Sequence, residues 1–491
     1  MKVFKIYCIT MTIAILAVGY LIYTVQPEHN DVQALVVDEE KKEADLVAPD
    51  LFPSPEKTVY QMGLYLDINN RVLYGTTTLN TENTSGRILQ ELWFTAYPNA
   101  FKKPNNSPAP KKAYYAGFDE GWLEFSEIKV NGKPAPYVLE GVSVQVSLTE
   151  DLLPNQPVVV EMQWIVKIPK VAYRFGSKDN VFMLGNFYPT LNVLGEEWHN
   201  SYNSLFGDPF CFHTANYLVR LNTPEAYKVV ATGTNLQKIA EDNGRQTHII
   251  EARNVRDFSL AVLYNYEEIS KDSGNTTVTV YVPNNNTEIG NLLLEESSAM
   301  LNYYSCKFGS YPYPDFKIVF VPMDGFHGME YSGLIFLRDE FLLPNYDRSR
   351  SEFILAHEIA HQWWYGMVGN DQLKEPWLDE GLANWSAYKY LQEVKGQEVT
   401  FVEKSKAKFN LAKELRDIYS TSEYYETAYS GGEAFWFSLE NELGTDTAFK
   451  ILRRYLAEFR YKIATTADLF AIIKAEADQD MDEFLDKWFS P

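Results

Sequence analysis

Cysteine is scarce in this chain: Cys8, Cys211 and Cys306 are the only three among 491 residues. Cys8 lies in an apolar N-terminal run, which leaves two thiols for everything that follows. No disulfide framework can hold so long a chain with two thiols. A single Cys211–Cys306 bridge is open on count alone, but two unrelated buried thiols are the expectation. Histidine is also sparse, at seven. Clusters of Lys and Arg with interleaved aromatics are missing, and 66 acidic against 44 basic residues give a formal net charge of −22. Such a surface repels a phosphate backbone, so nucleic acid is excluded as a partner. No internal repeat of fixed period is present.

What the chain does have is apolar substance. At 46% hydrophobic content it can bury large cores and should form two or three domains. Ile6 to Val25 carries no charge and follows Lys2 and Lys5. At roughly 1.5 Å per residue this run spans about 30 Å, the thickness of bilayer hydrocarbon. The flanking lysines favour an N-terminus held in the cytoplasm, with the rest of the chain extracytoplasmic. A cleaved signal peptide is the rival, but the run is longer than a usual signal core and no A-x-A site follows it. The expectation for residues 1–25 is therefore a single-pass signal-anchor in the cell membrane, followed by an acidic, proline-bearing linker over 26–58.

From 59 to 271 short alternating segments such as "TVYQMGLYLDI", "RVLYGTTTLNT" and "PVVVEMQWIVKI" are divided by turn signals. That rhythm predicts an N-terminal all-β, sandwich-like domain. After "TVTVYVPN" the period changes. An amphipathic stripe near 287–307 predicts a helix, "FKIVFVP" (Phe316 to Pro322) a buried strand, and "HGMEYSGLIFL" an extended segment. Beyond Ser349 helices dominate, so 272–491 reads as an α+β domain weighted towards helix.

The chemistry concentrates in "SRSEFILAHEIAHQWW". On a helix, capped by Ser349 or Ser351, His357 and His361 stack one turn apart on one face. Two imidazoles at that spacing can share one Zn²⁺ at ~2.0–2.1 Å each. Glu358, rotated by about 100° from His357, can serve as a general base without being a ligand. A third ligand is offered by "EPWLDEGLANW", where Pro376 opens a second helix and Glu380 lies one turn in. Two histidines and one glutamate make an open, catalytic type of site, whereas structural zinc sites are closed and usually cysteine-rich.

"HEIAHQWWYGMVG" followed by "WLDEGLA" resembles the zinc aminopeptidases of the M1 family, within the gluzincins. "HGMEYSGLI" is similar to that family's G-x-M-E-N exopeptidase segment, and weaker likeness runs through "DPFCFHTANYLVRLNTPEAYKVVATG" to "FLDKWF". The resemblance spans roughly 59–490. It implies a thermolysin-like catalytic domain over 272–491 with one Zn²⁺ per chain on His357, His361 and Glu380. It also implies that Glu330 captures the free α-ammonium of a peptide, with the backbone of Gly328 and Met329 pairing alongside as an added strand. Tyr429, ahead of Gly431-Gly432, takes the place of the family's oxyanion-stabilising tyrosine, with Tyr424 and Tyr425 as nearby competitors.

Two departures stand out: Tyr331 where Asn is usual, and His327 where Gly is usual. The glutamine motif that assists amine binding in some members is not found, and His327 is open to either a substrate or a structural role. The further helical domain of larger members is also not found, so a more open cleft is expected. The resulting expectation is a membrane-anchored metallopeptidase that removes N-terminal residues from peptide substrates. Here Glu358 moves the proton and Tyr429 stabilises the oxyanion. An endopeptidase of the same fold and a catalytically silent surface binding protein are the alternatives.

Overall fold

Strict alternation places every second side chain of Val59–Asp67, Val72–Glu82 and Pro157–Lys167 in the interior, as a half-buried sheet requires. The computed structural model describes residues 58–202, 204–398 and 409–489. The expected anchor at 1–25, and the expected linker apart from Thr58, lie outside the described residues. Among those described, no helix is long and apolar enough to cross a membrane.

The three strands above belong to an eight-stranded sheet. Its pairs are antiparallel except for Val59–Asp67 beside Ala215–Pro224, which run parallel. A four-stranded sheet containing Leu89–Thr95 and Ser143–Leu152 shares a core with it: Leu92, Phe94, Val144 and Val146 pack with Met62, Leu73 and Trp164. Two sheets meeting through apolar faces is the layered, sandwich-like arrangement expected for the β half.

A five-stranded sheet opens the second half. Its first strand, Tyr266–Ser273, crosses the boundary expected at 271/272 and pairs with Thr276–Pro283 in an antiparallel hairpin. The hairpin turn, not the change of period, decides where this sheet begins. Asp315–Val321 and Leu334–Arg338 follow in parallel, and Gly328–Met329 is the edge strand. Helix α1 (Thr287–Lys307) covers this sheet through Leu293, Leu294, Met300 and Leu301. Cys306 lies on its outer side and is exposed, whereas Cys211 is buried; neither is bridged. The expectation of two unbridged thiols holds, but Cys306 is not buried, because the helix turns it away from the sheet.

Helix α2 (Arg348–Ala360) carries the histidine motif. Its N-cap is Asp347, whose side chain accepts from the backbone N–H groups of Ser349 and Arg350. The expected caps Ser349 and Ser351 instead lie inside the first turns, since a carboxylate at the cap also complements the helix dipole. The chain then turns sharply. Tyr365 sits at φ 135°, a region seldom adopted by residues with a β-carbon. It is held there because its hydroxyl donates to Asp257 Oδ2 at 2.5 Å and its carbonyl accepts from Arg256 Nε at 2.6 Å. Helix α3 (Trp377–Glu393) follows, with Pro376 at the N-cap.

Helix α4 (Gly432–Leu443) crosses α3 at its N-terminus, and two glycines set the distance. A β-carbon on Gly432 would lie 2.6 Å from Gly381 Cα and 3.0 Å from Trp377 O. Both obstacles are backbone, so no flexible side chain can give way. We expect Gly432→Ala to destabilise the fold by ~1–3 kcal/mol, the range for overpacking a filled interior, as a lower denaturant midpoint in equilibrium unfolding.

Candidate active site

Helix periodicity brings His357 and His361 to one face, and the return through α3 brings Glu380 to meet them. His361 Nε2 lies 3.0 Å from His357 Nε2, and Glu380 Oε2 lies 3.2 and 3.4 Å from the two imidazole nitrogens. Ligands at ~2.0–2.1 Å on a tetrahedron stand about 3.3 Å apart, so this cluster has the spacing of a metal-ligand set. All three residues are buried. His361 Nδ1 is 2.9 Å from Trp364 O; assigning the ring hydrogen there leaves Nε2 with a free lone pair facing the cluster. Glu380 Oε2 has no hydrogen-bond partner and Glu358 Oε2 has none either, though both are buried. Buried carboxylate lone pairs without donors are costly, and a divalent cation is the group that relieves them. The residues fit a metal.

The electrostatics follow from the crowding. Burial would raise Glu380, yet the two imidazoles hold it well below the usual carboxylate range. Burial pushes His357 down. It acts on His361 too, but the adjoining Glu380 carboxylate and the Glu330 charge outweigh it and hold His361 up. Burial raises Glu358 to about 8, with the Glu380 and Asp208 charges adding to the rise and His361 opposing it. A group in that range can both accept and release a proton near neutral pH. A bound cation would shift all of these towards their charged or bare forms.

The edge strand Gly328–Met329 closes one side. A β-carbon on Gly328 would sit 2.2 Å from the Glu358 carboxyl carbon, so only glycine allows this backbone to lie against that carboxylate. Glu330 follows, buried, with its carboxyl pushed well up by burial and by the neighbouring Asp208, Glu358 and Glu380 charges, while His361 opposes. Met329 contributes its backbone to the edge; its side chain packs in a core with Met183, Tyr331 and Phe336. Tyr331 is buried there as well, its hydroxyl pressed against Gly185, where a β-carbon would come within 1.8 Å. His327 is tied elsewhere: its Nε2 lies 2.8 Å from Arg350 Nη2 and its Nδ1 lies 3.7 Å from Glu340.

The Tyr429 hydroxyl donates to Glu380 Oε1 at 2.6 Å, and Tyr424 donates to the same oxygen at 3.4 Å. Tyr429 lies in a wide helical turn over Tyr425–Gly431, in which the backbone bonds i to i+5, and Tyr424 ends the short helix Thr421–Tyr424 just before it. Such turns interrupt helices often at functional sites. Tyr425 is half exposed and packs against Tyr429 with ring centres 4.8 Å apart and planes tilted by 37°. Among the three tyrosines, Tyr429 stands nearest the ligand set.

Sequence reasoning missed two residues beside Glu330. Arg174 is buried and ion-paired with Asp208, and its Cζ lies 4.3 Å from the centre of the Phe326 ring. Arg174 stands in no motif, and Asp208 only opens the weakly similar stretch "DPFCFHTANY"; a charged residue within an apolar stretch such as "KVAYRFGS" is the remaining local signal, and it names no partner.

Residues 292–488 match the family model described as "Peptidase family M1 domain". The chain is 26% identical to Aminopeptidase M1-C of Oryza sativa subsp. japonica over 246 residues, which is 46% of this chain and 28% of that protein. It is 23% identical to Probable aminopeptidase 1 of Sulfurisphaera tokodaii over 405 residues, which is 76% of this chain and 49% of that protein. The alignments thus span half or less of these relatives' own lengths. A crystal structure of an M1 zinc metallopeptidase from Deinococcus radiodurans superposes with a TM-score of 0.65 at 18% identity, covering 89% of this chain and 93% of that one. At that identity the likeness is one of fold, and the β-rich first half followed by a helical second half is shared.

Metal linkage tests the cluster directly. Zinc at a free concentration a thousandfold above its Kd should stabilise the fold by about 4 kcal/mol, seen as a raised Tm. His361→Ala should remove this cluster's share of that rise while leaving the metal-free Tm within a few degrees.

Proposed function

We propose, from the M1-family peptidase domain that residues 292–488 carry, that this protein is a zinc aminopeptidase. The observation that carries the reading is the meeting, in one buried site, of a three-ligand cluster with Glu358, Glu330 and Tyr429. His357, His361 and Glu380 would hold the ion. When bound, zinc supplies a Lewis acid that acidifies water and polarises the scissile carbonyl.

The remaining work belongs to the chain. Glu358, with a free Oε2 and a raised proton affinity, takes a proton from the attacking water and delivers it to the leaving amine. Glu330 faces the substrate's α-ammonium through a charge-assisted hydrogen bond and so measures one residue from the N-terminus. The ammonium is also what lets Glu330 ionise in a place where burial and three neighbouring carboxylates oppose its charge. The backbone of Gly328–Met329, at the sheet edge, offers pairing to an extended peptide. Tyr429 can transfer its hydrogen bond from Glu380 to the oxyanion, while Tyr424 stays on the same carboxylate oxygen. Such a bond, stronger in the transition state than in the ground state, accelerates the reaction. The uncharged run Ile6–Val25 behind two lysines supports placing this activity outside a cell membrane on a single-pass anchor.

A free-amine peptide should be hydrolysed at least ~100-fold faster than its N-acetylated twin, the scale of losing a charge-assisted pair at a buried site; equal rates would point to an endopeptidase. Glu358→Gln should retain the wild-type zinc content by metal analysis while kcat falls by ~10²–10⁴. Near-normal turnover in that variant would remove Glu358 from the mechanism.

A further inference from the structure

A second group of metal-type donors shares no residue with the first. His199, Cys211 and Asp371 each present one ligand atom, and the three atoms lie within 4.8 Å of one another. Cys211 and Asp371 are buried, and His199 is largely so. His199 Nδ1 is hydrogen-bonded to Asp371 Oδ2. The other carboxylate oxygen of Asp371 accepts from Leu373 N at 3.0 Å and Lys374 N at 3.3 Å, which fixes the carboxylate and aims Oδ2 at the histidine.

The three residues come from places that need holding. Between the strand Thr190–Leu191 and the strand Ala215–Pro224, the described residues of 192–214 form neither a helix nor a strand ladder. Connections of that length without structure of their own are uncommon in compact domains and usually serve a function. His199 stands towards one end of this connection and Cys211 towards the other. They meet at Asp371, in the turn that leads into α3 and so to Glu380. The same connection carries Asp208, which pairs with Arg174 beside the active site.

We propose that His199, Cys211 and Asp371 bind a second ion of the Zn²⁺ class, which clasps both ends of the 192–214 connection to the turn preceding α3. The donor chemistry selects the ion. A thiolate with an imidazole suits zinc and its neighbours, whereas magnesium and calcium take oxygen ligands. Charge balance favours it as well: one thiolate and one carboxylate neutralise a divalent ion, so the buried assembly carries no net charge. Cys211 is buried and would bind the ion as its thiolate. Binding requires that thiol to release its proton to solvent and the imidazole to present a bare nitrogen, so affinity rises with pH.

Cobalt separates the two sites, because the first has no sulfur ligand. The full chain loaded with Co²⁺ should hold two ions and show a thiolate-to-cobalt charge-transfer band in the near ultraviolet. Cys211→Ser should lose that band and one ion; Glu380→Ala should lose one ion and keep the band. A wild-type protein with one ion per chain and no such band overturns the proposal, as does a band that survives Cys211→Ser. The wild-type spectrum decides alone if Cys211→Ser does not fold. Failure here would leave the zinc aminopeptidase reading untouched, since that rests on His357, His361 and Glu380.

Discussion

Everything about the active site depends on a Glu380 carboxylate wedged between two imidazoles in a place that water barely reaches. Burial of that kind disfavours every charged form, so a carboxylate can remain ionised there only if positive charge is supplied at close range. Two histidines provide part of it and leave lone pairs over. The unpaired oxygens of Glu380 and Glu358 are the remaining deficit, and a cation among them is what makes the arrangement affordable. Around that centre the order of burial becomes chemistry. Glu380 is held ionised beside the two imidazoles, while Glu358, one residue from His357, is driven up to about 8.

Such a centre tolerates little positional error, and glycines control the tolerance. Gly381 and Gly432 let α3 and α4 touch backbone to backbone, which places Glu380 near the turn that carries Tyr429. Gly328 lets the edge strand lie on the Glu358 carboxyl. The strained turn at Tyr365, clamped by Arg256 and Asp257 from the β half, fixes the Trp364 carbonyl that orients His361. The β half therefore serves as a frame for the imidazole and, through Gly185 against Tyr331, packs beside the edge strand.

The two departures from the family pattern resolve differently in three dimensions. His327, open to a substrate role by sequence, is held between Arg350, Arg338 and Glu340, so it braces the edge strand against α2. Tyr331 turns into a core and presses on Gly185, so the larger residue fills interior space. The charged neighbours of Glu330 are Asp208, Glu358, Glu380 and His361, with Asp208 paired to Arg174. The acidic surroundings of Glu330 suit a cationic group on a substrate.

Much of the architecture was legible in the residues because it rests on local periods. Alternation marked strands such as Val72–Glu82, a four-residue spacing put His357 over His361, and proline placed the start of α3 within a residue. The helix cap is Asp347 and not a serine, because a serine and an aspartate look alike as caps until the first turn is built. By itself the sequence determined which residues could be ligands, base and gauge, since side-chain chemistry and helical spacing are local properties. Tertiary structure alone decided their environment: that Glu358 is raised and Glu380 lowered, that Tyr429 rather than Tyr425 reaches the ligand set, and that Arg174 pairs with Asp208. Those outcomes depend on burial and on contacts between segments far apart in the chain, where no local pattern carries the information.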